Sequence, residues 1–181
     1  MASIGPLSPG TMADDSAVGT VSWTNPNNAK VSDNNYVTFE GYLAETSHYL
    51  KATNFGFSIP TGVTINGILV EIERKSYFQS FFIDSTVKIV KSDGSIGTTN
   101  KADTANLWPT TDTYKSYGAD NDLWGETWTE ADIENINFGV VLSARYNNYE
   151  EYSTCGVDHI RITVYYTEAT TKSPFPTFFR I

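Results

Sequence analysis

A chain of 181 residues, 40% hydrophobic and 18% charged, is expected to fold as one domain burying about 70% of its unfolded surface. Its net charge of −9 and its twelve scattered Lys and Arg give no basic footprint for phosphate, which argues against nucleic acid and anionic membrane as partners. Cys155 is the only cysteine and has no internal disulfide partner, no apolar run reaches about 18 residues, and the first residues lack the pattern of a secretory leader. The expectation is a soluble chain made in the cytoplasm.

Eleven Tyr, ten Phe and four Trp tilt the composition towards strands, and the Thr, Ser, Asn and Gly between them supply turns. Residues 1–16 hold Pro6 and Pro9 with little periodicity and read as an N-terminal arm, with Ile4, Pro6, Leu7 and Pro9 offered to a neighbouring subunit. The domain proper is expected over residues 17–167. Its first strand is placed at 18–24, then turns at 25–28 and 32–35, then a short strand at 36–39. Residues 49–58 read as a longer strand. Pro60-Thr61-Gly62 turns it into a second, hairpin-like partner at 64–77, where Ile68, Val70 and Ile72 alternate with Leu69, Glu71 and Glu73. Gly67 inside that strand marks a bulge or a close backbone approach.

Phe78, Phe81, Phe82 and Ile83 form an apolar group at a loop position, either folded back on the core or presented to a neighbour. A strand at 85–91 precedes a long polar stretch, 97–122, of the kind that binds something or carries short strands of its own. Thr129 followed by Asp132 is a capping box, so a helix of one or two turns is expected near 129–135. Residues 136–144 and 157–167 alternate as core strands, with Ile160, Ile162, Val164 and Tyr166 inward. Residues 168–181 read as a docking tail, its contacts Phe175, Pro176, Phe178, Phe179 and Ile181. Strands and turns without intervening helices give an all-β fold, a single antiparallel β-sandwich of jelly-roll or Greek-key type.

Little in this chain spells chemistry. His48 and His159 have no HExxH or CxxC company, and each reads as structural or solvated. Cys155 reads as a small buried side chain rather than a reactive thiol. The Asp120-Asn121-Asp122 turn offers hard oxygens of the type Ca²⁺ takes, against a default of a solvated acidic loop. Tyr114, Tyr117, Tyr146 and Tyr149 are loop aromatics that can stack on sugar rings, against a default of packing at loop bases. No acid pair has the spacing signature of a glycosidase, and a non-enzymatic protein is expected.

The runs GFSIPTGVTINGILVEIER, LWGETWTEADIENINFGVVLSA and VDHIRITVYYT resemble a β-sandwich domain of tailed-bacteriophage and prophage virion proteins. The resemblance covers roughly residues 16–167 and rests on structural motifs, so it implies a fold and a setting and carries over no catalytic residue. It implies a capsid decoration (cement) protein located in the virion, assembling with itself, trimers among the options, and with a major capsid or other virion protein. The alternative it leaves open is a carbohydrate- or receptor-binding tail or fibre module.

Overall fold

The computed structural model describes residues 1–79, 81–148 and 151–169, and within them the regular structure is almost entirely strand. In chain order these are β1 (Ala2–Leu7), β2 (Thr11–Asp15), β3 (Val37–Gly41), β4 (Tyr49–Thr53), β5 (Thr64–Ser76), β6 (Phe82–Val90), β7 (Thr113–Gly118), β8 (Gly139–Tyr146) and β9 (Ser153–Thr167). A 3₁₀ turn at Pro26–Ala29 and one short helix, α1 (Glu130–Glu134), complete the inventory. Two antiparallel sheets pack face to face. One contains β7, β5 and β9, with β1 and β3 end to end along the other edge of β9, and the second has the order β2-β4-β8-β6. Odd-numbered strands all lie in the first sheet and even-numbered strands in the second. The chain therefore changes sheet at every connection, and no strand pairs with its neighbour in sequence.

That alternation corrects the hairpin reading of residues 54–75. β4 and β5 sit in different sheets, and Pro60-Thr61-Gly62 lies on the crossing between them. The period of two in β5 holds nonetheless. Ile68, Val70 and Ile72 are fully buried, a gain of roughly 1.5–3 kcal/mol each over exposure. Opposite them in β9, Ile160, Ile162 and Val164 are equally buried, which makes the β5–β9 pair the floor of the core. Gly67 sits at a register shift of that pair. A Cβ there would lie 2.3 Å from the Asp120 carbonyl carbon and 2.4 Å from the Ala119 oxygen, so the loop before Leu123 packs against bare backbone.

The N-terminal arm is a second correction. Residues 1–16 are built into both sheets, β1 against the end of β9 and β2 against β4. Ile4 and Leu7 pack on the core, Pro9 is buried, and only Pro6 of that group is exposed. The sandwich thus starts at Ala2 rather than residue 17. Residues 18–24 are not a strand; Val21 and Thr24 make isolated bridges, and Trp23 anchors the segment through its indole N–H to the His48 carbonyl, 2.8 Å. Phe82 and Ile83 belong to β6 and the polar stretch contains β7, while Ile136 is exposed rather than inward. Thr129 and Asp132 form the expected capping box of α1. Residues 170–181, and with them Phe175, Pro176, Phe178, Phe179 and Ile181, lie outside the described residues, as does Tyr149.

Candidate functional site

Three groupings of side chains have the polarity or exposure of a site. The first is interior. Arg74, the next inward position of β5 after Ile72, meets Asp84 of β6 across the two sheets. Asp84 is fully buried and accepts from the Trp108 indole N–H at 2.7 Å, the Tyr117 hydroxyl at 2.7 Å and the Asp103 amide at 2.9 Å. The Arg74 guanidinium lies over the Trp108 ring at 4.7 Å and donates to the Tyr117 hydroxyl at 3.2 Å. Burial, and then the Asp84 charge, push the Tyr117 hydroxyl far up from its ordinary 10, so it stays a donor. The group is satisfied by the chain itself and closed to solvent, and its role is to clamp one sheet to the other.

The second is the outer face of the first sheet. The His159 imidazole is hydrogen-bonded to the Tyr114 hydroxyl and to the Ser8 hydroxyl, each at 2.8 Å. Arg161 grips Glu71 through two hydrogen bonds of 2.9 and 3.1 Å and stacks on Tyr114 at 3.9 Å. Along the same face Lys75 lies over the Tyr36 ring at 3.9 Å and 3.6 Å from Asp112, which also accepts from the Tyr36 hydroxyl. Burial, then the Asp112 bond, raise the Tyr36 hydroxyl, with the charges of Asp158 and Glu73 adding to the effect. Beside this face, between β7 and the 103–109 loop, opens a cavity of about 180 Å³ lined by Arg74, Asp103, Asn106, Tyr114 and Lys115 among others. Lys115 and Asn106 hold the Asp103 carboxyl well below its ordinary range.

The third is the tip at which the β3–β4, β5–β6 and β8–β9 loops meet. Gly41, the last residue of β3, lets that strand press on Tyr146, since a Cβ there would lie 2.6 Å from the Tyr146 Cβ. The loops are then tied to each other. The Ala44 amide donates to the Asn148 carbonyl at 3.1 Å, the Asn147 amide to Phe81 at 2.6 Å and the Tyr146 amide to Glu45 at 2.9 Å. Tyr42 and Tyr152 stack at 4.2 Å with planes 10° apart. Leu43 and Ala44 both have positive φ, 48° and 61°, a strained conformation for residues with a Cβ that costs about 1 kcal/mol or more each. On this braced base Phe78 is 81% exposed, Tyr152 67% and Leu43 53%. Three large apolar side chains are thus exposed at one end of the sandwich.

The tyrosines singled out as a sugar platform do not come together. Tyr114 is half-buried on the outer face, Tyr117 is inside the sandwich, and Tyr146 is fully buried under the tip with its hydroxyl donated to the Glu151 carbonyl. Of the Ca²⁺ candidates, Asp122 spends one carboxylate oxygen on the Trp124 amide and the other on Lys101 at 2.5 Å. Among the described residues no group of three or more His, Cys, Asp or Glu is placed to hold a metal, and no helix is long and apolar enough to cross a membrane. Cys155 is fully buried, which pushes its thiol far up. The Arg74–Asp84 pair escaped the sequence reading. The period of two in β5 was the signal, because it points position 74 inward whatever residue stands there.

The chain matches no family model and no curated protein. Among solved structures, the crystal structure of a beta-1,2-glucanase from Parabacteroides distasonis aligns over 86% of this chain and 24% of its own, with a TM-score of 0.43 and 10% identity. A likeness at that level carries no inference about activity.

Proposed function

We propose that this chain is a non-enzymatic virion structural protein of the capsid decoration kind, which stabilises a particle by binding to it and to neighbouring subunits. One observation carries the reading: three loops, locked together by their own backbone hydrogen bonds, hold Phe78, Tyr152 and Leu43 out into solvent at one end of the sandwich. The virion setting comes from the resemblance of residues 56–74, 123–144 and 157–167 to phage β-sandwich domains. Within that reading the protein resides in the virion, and its partners are a major capsid or other virion protein and itself.

Co-sedimentation with particles assembled from the structural genes of the same genome tests this. Wild-type protein should pellet with the particles and raise their resistance to heat, and Phe78→Ser/Tyr152→Ser should lower its occupancy. Wild-type protein that stays in the supernatant overturns the reading.

A tail or fibre module that binds carbohydrate is the second reading, favoured by the cavity beside Tyr114, whose volume of about 180 Å³ suits a single sugar ring. Trp108 lies under the guanidinium of Arg74, which lines that cavity. Its fluorescence should therefore respond to a panel of methyl glycosides, and a flat titration in the millimolar range removes this reading.

A further inference from the structure

We propose that the tip of one sandwich receives the aromatic C-terminal segment of a second copy, residues 175–179, so that copies join head to tail. The proposal rests on the reading of the tip as an assembly surface and names what occupies it.

Composition matches the two surfaces. Residues 170–181 hold Phe175, Phe178 and Phe179 with Lys172 and Arg180 and no acid, whereas the whole chain carries −9 and is more acidic still without that segment. The tip presents the exposed rings of Phe78 and Tyr152, and its loops carry Glu45 and Glu151. Aromatic side chains supply area, and cations beside them find both carboxylates and ring faces. Pro174 and Pro176 bracket Phe175, and prolines reduce the entropy a chain segment loses when it docks.

Reach decides between the chain's own tip and another's. β9 begins at the tip with Ser153 and ends fourteen residues later at Thr167. At about 3.3 Å per residue it carries the chain roughly 46 Å away from the tip. Phe179 lies twelve residues beyond Thr167 and Phe175 eight. Fully extended, those segments span at most about 43 Å and about 29 Å. The aromatic group as a whole thus stops short of its own tip but can reach that of a neighbour. A contact of this kind uses two different surfaces, so it closes into a ring or propagates as a filament.

Sedimentation velocity of the full chain, with no particles present, reads this directly. Wild-type protein should form multimers whose proportion rises with concentration. Phe78→Ser/Tyr152→Ser removes the tip and Phe175→Ser/Phe178→Ser/Phe179→Ser removes the segment; each should sediment as a monomer with the wild-type far-UV spectrum. Mixed in equal amounts, the two variants have one intact tip and one intact segment between them and should form a dimer that grows no further. A monomeric full chain overturns the proposal, as does either variant that still assembles, or a mixture that stays monomeric. Failure here leaves particle binding untouched, because that is read by co-sedimentation of the wild type.

Discussion

Arg74 and Asp84 face each other from opposite sheets with Nη2 and Oδ1 3.4 Å apart, and both side chains are almost wholly out of solvent. Two charges in such a place are tolerated only as a pair. Asp84→Ala strands the Arg74 guanidinium and should cost about 3–5 kcal/mol in urea unfolding, while Arg74→Met/Asp84→Leu should recover most of it. A double variant no better than the single one would mean that the clamp depends on Tyr117 and Trp108 rather than on the charge pair.

The inward face of β5 gives a second measurement. Ile68→Asp or Val70→Asp puts an unpaired charge among fully buried aliphatic side chains and should cost several kcal/mol, on the order of 4 or more. Wild-type-like melting of either variant would reassign that face.

Gly67 tests the packing of the 119–122 loop. Gly67→Ala drives a methyl into the backbone of Asp120 and Ala119, which cannot rotate away as a side chain would. A loss of about 1–3 kcal/mol is expected by thermal unfolding, from strain rather than from a lost contact. Gly62→Ala is the converse case: it falls at a φ of 78° but meets nothing within 4 Å, so its cost is conformational, whereas that of Gly67→Ala is steric.

His159 sets an acid limit. Burial first, then the Arg161 charge, hold its imidazole below the ordinary 6.5, against the opposing pull of Glu73 and Glu71. The unfolded imidazole then takes up a proton that the folded one refuses, so stability is complete above about pH 6.5 and declines as the pH falls below it. The urea midpoint should drop between about pH 7 and pH 5.5, and His159→Gln should shrink the drop. An identical pH profile in the variant would place the titration elsewhere.

Thr129 caps α1 through its hydroxyl, which accepts from the Asp132 amide at 3.2 Å, while Asp132 reaches back to the Thr129 amide at 3.0 Å. Thr129→Ala should cost about 1 kcal/mol in thermal or urea unfolding.

What could be read from the sequence was local. The alternation of Ile68, Val70 and Ile72 and the Thr129–Asp132 box are each set by neighbours within a few residues, and the close approach at Gly67 showed only as a glycine inside a strand, since Ala119 and Asp120 lie far away in sequence. β1 and β2 went unseen because both are edge strands whose residues need only one buried face, and Asp14 and Asp15 look like loop. β7 has a single fully buried side chain, Tyr117, in six residues, too few to show a period. The tyrosine platform failed for a related reason: Tyr117 and Tyr146 are long enough to lie in the interior with only the hydroxyl bonded, and composition does not separate that from exposure. The tip is assembled from three loops far apart in sequence, so only the fold could bring Leu43, Phe78 and Tyr152 together.

β9 borders β1, β3 and β5 and is the last of the described strands in chain order. On the ribosome, β1, β3 and β5 must therefore wait, unpaired with β9, until residues 153–167 have emerged. Most contacts are also between distant positions, which favours slow folding. The first sheet of a nascent chain should stay open to proteases and chaperones until β9 has emerged, and close only then.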